Sequence, residues 1–155
     1  MMPIAIAEEH PLTPDLELLF QRHTADMHAD TPPESIHMLD KGALAAPGIR
    51  FFVLRDGGEA VGMGAYKRID AAHAEIKSMH VLAERRGQGL SKAMLLHLMD
   101  RARADGFSRL SLETGAQPAF LPARRLYEAA GFTECPPFAG YVEDPNSIFM
   151  TKVLA

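Results

Sequence analysis

Three strand-forming runs follow one another with almost no chain between them, and this constrains the fold more than any other feature of the sequence. Ile49 to Leu54 reads Ile-Arg-Phe-Phe-Val-Leu, rich in aromatic and β-branched residues, and Asp56-Gly57-Gly58 supplies a turn into a second run, Ala60–Lys67. A third run, about His73 to Val81, follows the turn Asp70-Ala71-Ala72. Parallel neighbours need a crossover of roughly a dozen residues or more, so these three strands form an antiparallel meander. Downstream the order changes to helix, strand, helix. Leu90 to Ala104 places Leu90, Ala93, Met94 and Leu98 on one helical face and ends at Gly106. Phe107 to Leu112 reads as a strand, Pro118 to Ala130 as a helix stopped by Gly131, and strands follow near Phe132 and over Ser147–Val153.

The front third is less regular. Ile4 and Ile6 suggest a short opening strand, and Thr13-Pro14-Asp15 a capped start for a helix over Leu16 to about His28, with Leu16, Leu19, Phe20, His23 and Met27 at helical spacing. A second helical piece is expected after Thr31-Pro32-Pro33, burying Ile36, Leu39 and Leu44 before Pro47-Gly48 ends it. The fold class is mixed α/β, with a mostly antiparallel central sheet flanked by helices. No stretch repeats at a fixed period, which excludes solenoids and propellers.

Composition narrows the partners. With 155 residues the chain is the size of one domain, 1–155, able to bury a core without metals or disulfides. The 16 Lys and Arg against 20 Asp and Glu leave a net charge of −4, which gives no broad attraction for nucleic acid or an anionic membrane. The longest uncharged run, Thr114 to Ala123, is half the roughly 20 residues of a membrane-spanning helix. The first residues lack the basic start and long apolar stretch of an export signal. A lone cysteine, Cys135, can form neither an internal disulfide nor a CxxC metal knuckle, which fits the cytoplasm. The seven histidines include no HExxH pattern, and His23 and His28 share a helical face poorly, so no metal is expected.

Positive charge and glycine coincide once, at Arg85-Arg86-Gly87-Gln88-Gly89, between the third meander strand and the long helix. A helix start carries unpaired N–H groups and the positive end of the macrodipole, and Gly87 and Gly89 let the backbone approach a ligand without a Cβ in the way. Such a turn suits a pyrophosphate. Arg85, Arg86 and Lys92 are the cations on hand. The spelling is not a dinucleotide fingerprint, since Lys92 stands where the last glycine belongs, and no GxxxxGK string occurs. A glycine pair before a helix also serves as a plain structural turn.

Two strings in order distinguish these readings. Arg86-Gly87-Gln88-Gly89-Leu90-Ser91 resembles the R/Q-x-x-G-x-G/A acetyl-CoA signature of the GNAT N-acetyltransferases, with Ser91 replacing the usual Gly or Ala. Leu126-Tyr127-Glu128-Ala129-Ala130-Gly131-Phe132 resembles the family's later LYxxxGF signature. The resemblance spans about Phe51 to Val153. It implies a sheet whose central strands splay apart, with acetyl-CoA as co-substrate lying between them near Met79, His80 and Val81 on one side and Arg109 to Glu113 on the other. Its pyrophosphate would rest on the backbone of Arg86, Gly87, Gln88, Gly89, Leu90 and Ser91.

The resemblance also implies roles. Glu75, on the strand before the turn, is the candidate base for the acceptor amine, and Tyr127 the candidate acid for the departing thiolate. Backbone N–H groups near Met79 to Val81 would polarise the thioester carbonyl. Ser35 and His37 in the front segment, with Met38, and Thr114 and Phe120 after the fourth long strand, are candidate substrate contacts. Each has a plainer reading: Glu75 as a strand carboxylate paired with Lys77, Tyr127 as a packing ring, the others as ordinary surface. The activity implied is acetyl transfer to a primary amine of a small-molecule or amino-acid-like acceptor. The alternatives are a protein N-terminus or lysine as acceptor, or an acyl-CoA-binding sensor without turnover. The family leaves room for a homodimer.

Overall fold

The computed structural model describes residues 4–154. Among these, seven strands form one sheet in the order β1-β2-β3-β4-β5-β7-β6. The strands are β1 (Ile4–Glu8), β2 (Ile49–Asp56), β3 (Glu59–Arg68), β4 (His73–Val81), β5 (Arg109–Gly115), β6 (Thr133–Glu134) and β7 (Ser147–Val153). The helices are α1 (Glu17–Asp30), α2 (Leu90–Ala104) and α3 (Leu121–Ala129). The meander β2-β3-β4 is antiparallel throughout, as its short turns require. The only parallel neighbours among the described residues are β4 and β5, joined through α2.

The core follows from helices on both faces of the sheet. Phe51 stacks on Phe20 of α1, while Phe52 meets His97 of α2 edge-on. Successive residues of β2 therefore both find a ring to pack against, and Phe51 to Leu54 is an unbroken buried run rather than an alternating one. The buried face of α2 runs from Leu90 through Leu95 and Met99 to Ala102 and includes Met94 and Leu98. They come close to the sheet at Gly64, where an added Cβ would sit 3.0 Å from both Leu98 and Met94 side chains.

The chain departs from the sequence-based expectations at element ends and in one whole segment. Thr13 does not cap a helix through its side chain; its hydroxyl donates to the His10 carbonyl, and Pro14–Leu16 form a 3-10 turn ahead of α1. Pro118–Phe120 likewise form a separate 3-10 turn before α3. Phe107 is buried but precedes β5, because the N–H groups of Ser108 and Arg109 both turn to the Ala72 carbonyl. The expected helix after Pro33 is not formed. Pro33–Ser35 and Ala43–Ala45 make single 3-10 turns, with extended chain between them. Tertiary bonds replace helical ones there: the His37 carbonyl accepts from Lys77, and the Asp40 carboxylate caps the Ala43 N–H. Leu44 is nevertheless buried.

Candidate active site

The β4-α2 junction is shaped by backbone alone. Gly87 and Gly89 both take φ of +79°, the left-handed region, with nothing near the position of a Cβ; conformation rather than crowding requires glycine. Gly89 is the residue before α2 and no side chain caps the helix. The first intrahelical bond runs from the Ala93 N–H to the Gly89 carbonyl, leaving the N–H groups of Leu90, Ser91 and Lys92 open. The Arg86 N–H is taken by the Ala83 carbonyl at 3.2 Å, so the open donors begin one residue later than the sequence motif suggests.

The three cations have sorted themselves. Arg85 pairs with Asp56 and donates to the Gln88 side chain at 3.2 Å. Arg86 donates to the Val81 carbonyl at 3.1 Å and to Asp26 at 3.0 Å. Lys92, exposed in the first turn of α2, has no ion-pair partner among the described residues. A turn of open N–H groups with one uncommitted lysine fits a pyrophosphate.

Beside this turn the sheet opens. β4 and β5 are in register only at His73 with Arg109, Ala74 with Leu110 and Glu75 with Ser111, and beyond that they diverge. On its other side β4 bulges: the register with β3 passes from Lys77 opposite Ala65 to His80 opposite Met63, and Ser78 takes φ of +56°. The divergence and the bulge turn Ser78 to Val81 along a cavity of about 580 Å³. Of the sequence-derived candidates, Ser35, His37, Glu75, Met79, His80, Val81, Arg86, Gly87, Gly89, Leu90, Ser91, Thr114, Phe120 and Tyr127 all line it. Gln88 does not, since its side chain is held by Arg85.

The ionisable lining has defined surroundings. Glu75 is buried, and its Oε2 accepts from the Tyr141 hydroxyl at 2.5 Å and lies 3.2 Å from the Lys77 ammonium. Lys77 also donates to the Tyr141 oxygen at 2.6 Å and the His37 carbonyl at 3.2 Å. Both bonds to Glu75 fall on Oε2, leaving Oε1 open. Burial holds the Tyr141 phenol well above its usual range, with the neighbouring Glu75 adding to it. Tyr127 is buried against Phe132, and its hydroxyl has no protein partner among the described residues. Burial pushes it up to about 12, with the Glu113 charge adding to the shift. Glu113 on β5, also on the cavity, is raised above the ordinary carboxylate range by burial. His80 is held neutral, pushed down to about 4 by burial and then by His23, whose ring lies 5.3 Å away.

Ser35 is engaged rather than free. Its hydroxyl donates to Asp144 at 2.5 Å and accepts from Asn146 at 3.4 Å, tying the front segment to the loop before β7. Sequence reasoning missed Tyr141 and gave Lys77 only an ion-pairing role. The bond from Tyr141 to Glu75 joins positions 66 apart, and no local spacing signals it.

Known proteins resemble the chain in sequence and in fold. Residues 14–132 match the family model described as the acetyltransferase (GNAT) family. The uncharacterised N-acetyltransferase YsnE of Bacillus subtilis is 48% identical over 136 residues, covering 88% of this chain and 90% of that protein. An IAA acetyltransferase of Azospirillum brasilense is 39% identical over 158 residues, covering 99% of this chain and all of the relative. In three dimensions, a Klebsiella pneumoniae protein assigned as an acyl-CoA N-acyltransferase superposes with a TM-score of 0.80 at 27% identity, covering 98% of each chain. The chain belongs to the GNAT family of acetyltransferases.

Proposed function

We propose that the protein transfers an acetyl group from acetyl-CoA directly to the primary amine of a small-molecule acceptor. The observation that carries this reading is that one cavity joins the open N–H groups of the β4-α2 turn to a buried carboxylate, Glu75, and an unpartnered phenol, Tyr127. Acetyl-CoA supplies the acetyl group as a thioester, so the acceptor's C–N bond forms as the C–S bond breaks.

The chain's own residues divide the remaining work. The N–H groups from Gly87 to Lys92, with the Lys92 ammonium, hold the pyrophosphate. Backbone N–H groups at the bulge of β4 bind the carbonyl oxygen as charge develops on it. Glu75 takes the proton given up by the amine nitrogen on its open Oε1, while Tyr141 and Lys77 fix the carboxylate through Oε2. Tyr127, which keeps its proton far above neutral pH, gives it to the departing sulfur; exchange with water resets both groups. Direct transfer depends mainly on placing the two reactants together.

Free-thiol release is measured with acetyl-CoA and a panel of amines, amino acids and peptides, alongside acetyl-CoA binding by calorimetry. Turnover on small amines supports the reading. Glu75→Gln is expected to lower kcat by roughly 10²–10⁴-fold with acetyl-CoA affinity unchanged. Turnover by the variant at the parent rate removes Glu75 as the base, and failure to bind acetyl-CoA removes the transferase reading itself.

A further inference from the structure

The charged lining of the cavity is sorted by end, and the sorting bears on the acceptor. Lysine and arginine reach the cavity at Lys77, Arg85, Arg86 and Lys92. Arg85 and Arg86 are committed to Asp56, the Val81 carbonyl and Asp26. Lys92 lies in the first turn of α2, at the donor end. Lys77 is the cation of the acceptor end, and its ammonium is already shared among Glu75, the Tyr141 hydroxyl and the His37 carbonyl. Its charge is matched by Glu75 and two of its donors are bonded to Tyr141 and the His37 carbonyl, so it offers a carboxylate no unmatched cation. Burial keeps the lining imidazoles of His23 and His80 uncharged, and the His37 ring lies edge-on against Tyr141.

Negative and hydrogen-bonding groups at the same cavity are unspent. Glu113 and Asp30 line it without an ion-pair partner among the described residues. Thr31 and Ser78 are more than nine-tenths buried, line the cavity, and have hydroxyls with no partner among the described residues. A buried hydroxyl without a partner costs free energy unless a ligand or water meets it. These groups can accept from an ammonium, whereas a carboxylate would face Glu113 and Asp30 with no counter-ion.

We propose that the acceptor is a small cationic amine with no carboxylate on the carbon bearing the reacting nitrogen, held by Glu113 and the hydroxyls of Thr31 and Ser78. The inference rests on the transferase reading and narrows it, excluding free α-amino acids as preferred acceptors. The cavity volume of about 580 Å³, which must also hold the acetyl-bearing arm of the donor, suits a compact amine.

Matched pairs that differ only by the carboxylate test this: cadaverine against lysine, tyramine against tyrosine, phenethylamine against phenylalanine. With acetyl-CoA saturating, kcat/KM is expected to favour each decarboxylated partner by about tenfold or more, since an unmatched charge at partly buried sites costs at least that. Lysinamide and tyrosinamide, which mask the carboxylate, should recover most of the loss. Glu113→Gln should narrow the amine-to-amino-acid ratio, a readout that a general loss of turnover leaves unmoved. Tyr141→Phe, which releases one bond on Lys77, should narrow it from the other side. Amino acids equal to or better than their amines overturn the inference, as does turnover confined to peptides. If no pair turns over, calorimetric titration of the same compounds into the CoA-loaded protein is expected to give the same ranking, and no heat from any amine overturns the inference. Acetyl-CoA binding in that cell keeps the transferase reading standing separately.

Discussion

The donor end and the acceptor end of the cavity are built in opposite ways. The donor end is one contiguous stretch, Met79 to Lys92, in which the strand leaving a bulge, two left-handed glycines and a helix start present backbone groups to a ligand. The acceptor end is assembled from side chains far apart in the chain: Ser35 with Asp144 across 109 positions, Glu75 with Tyr141 across 66, and Lys77 with His37 across 40. A backbone site tolerates varied side chains and suits a donor that a whole family shares. A site of long-range side-chain contacts can be altered one residue at a time, which suits an acceptor particular to each member.

Tyr127 lines the same cavity, and its variant is the largest test. Tyr127→Phe removes a hydroxyl that has no hydrogen bond among the described residues, so folding stability should stay within about 0.5 kcal/mol of the parent. Turnover should fall by about 10²-fold or more if the phenol is the acid. Thermal unfolding and initial rates on the same preparation separate the two effects. A stability loss with parent turnover would return Tyr127 to packing alone.

Acid should weaken the donor end through His80. Its pKa falls from an ordinary 6.5 when unfolded to about 4 in the fold, so the unfolded chain binds the extra proton between those values. Stability from this group is full above pH 6.5 and is lost as pH falls towards 4, about 3 kcal/mol in all. His80→Gln should flatten that part of the pH-stability curve, followed by chemical denaturation between pH 4 and 7. An unchanged slope would move the acid sensitivity elsewhere. Gly89→Val is the backbone counterpart: a β-branched residue at φ of +79° costs about 1–2 kcal/mol and should weaken acetyl-CoA binding about tenfold by distorting the helix start, read by calorimetry. Parent affinity in that variant would show that the turn does not hold the donor.

The same contrast explains what the sequence could disclose. The meander, α2 and β7 were legible because each depends on local pattern: short turns force antiparallel pairing, and the spacing from Leu90 to Leu98 marks one helical face. The glycine turn was legible for the same reason. The segment after Pro33 reads as helix because Thr31-Pro32-Pro33 and Pro47-Gly48 bracket a stretch with apolar residues to bury, while its backbone groups are claimed by Lys77 and Asp40. Tyr141 lies in a loop with no periodicity, and only the folded chain carries it to Glu75. Glu75 itself was visible as a carboxylate on the right strand. That its Oε2 is occupied and its Oε1 open could not be read without the partner.

Ser35→Ala gives the smallest effect and the most selective one. The hydroxyl is buried, donates to Asp144 and accepts from Asn146, whose side-chain oxygen accepts in turn from Gln117. Removing it takes one link from a chain that holds the Pro33–Ser35 turn, the loop before β7 and the approach to α3 together. The cost to stability should be about 1 kcal/mol, typical of one such bond. The functional cost should fall on one end: KM for the acceptor rises several-fold as the wall bearing His37 and Tyr141 loosens, while acetyl-CoA affinity stays at the parent value. Asn146→Ala should behave alike, because it loosens the same wall from its other side. If acetyl-CoA affinity falls with the acceptor KM, the two ends are mechanically one. The division between a backbone-built donor site and a side-chain-built acceptor site then fails.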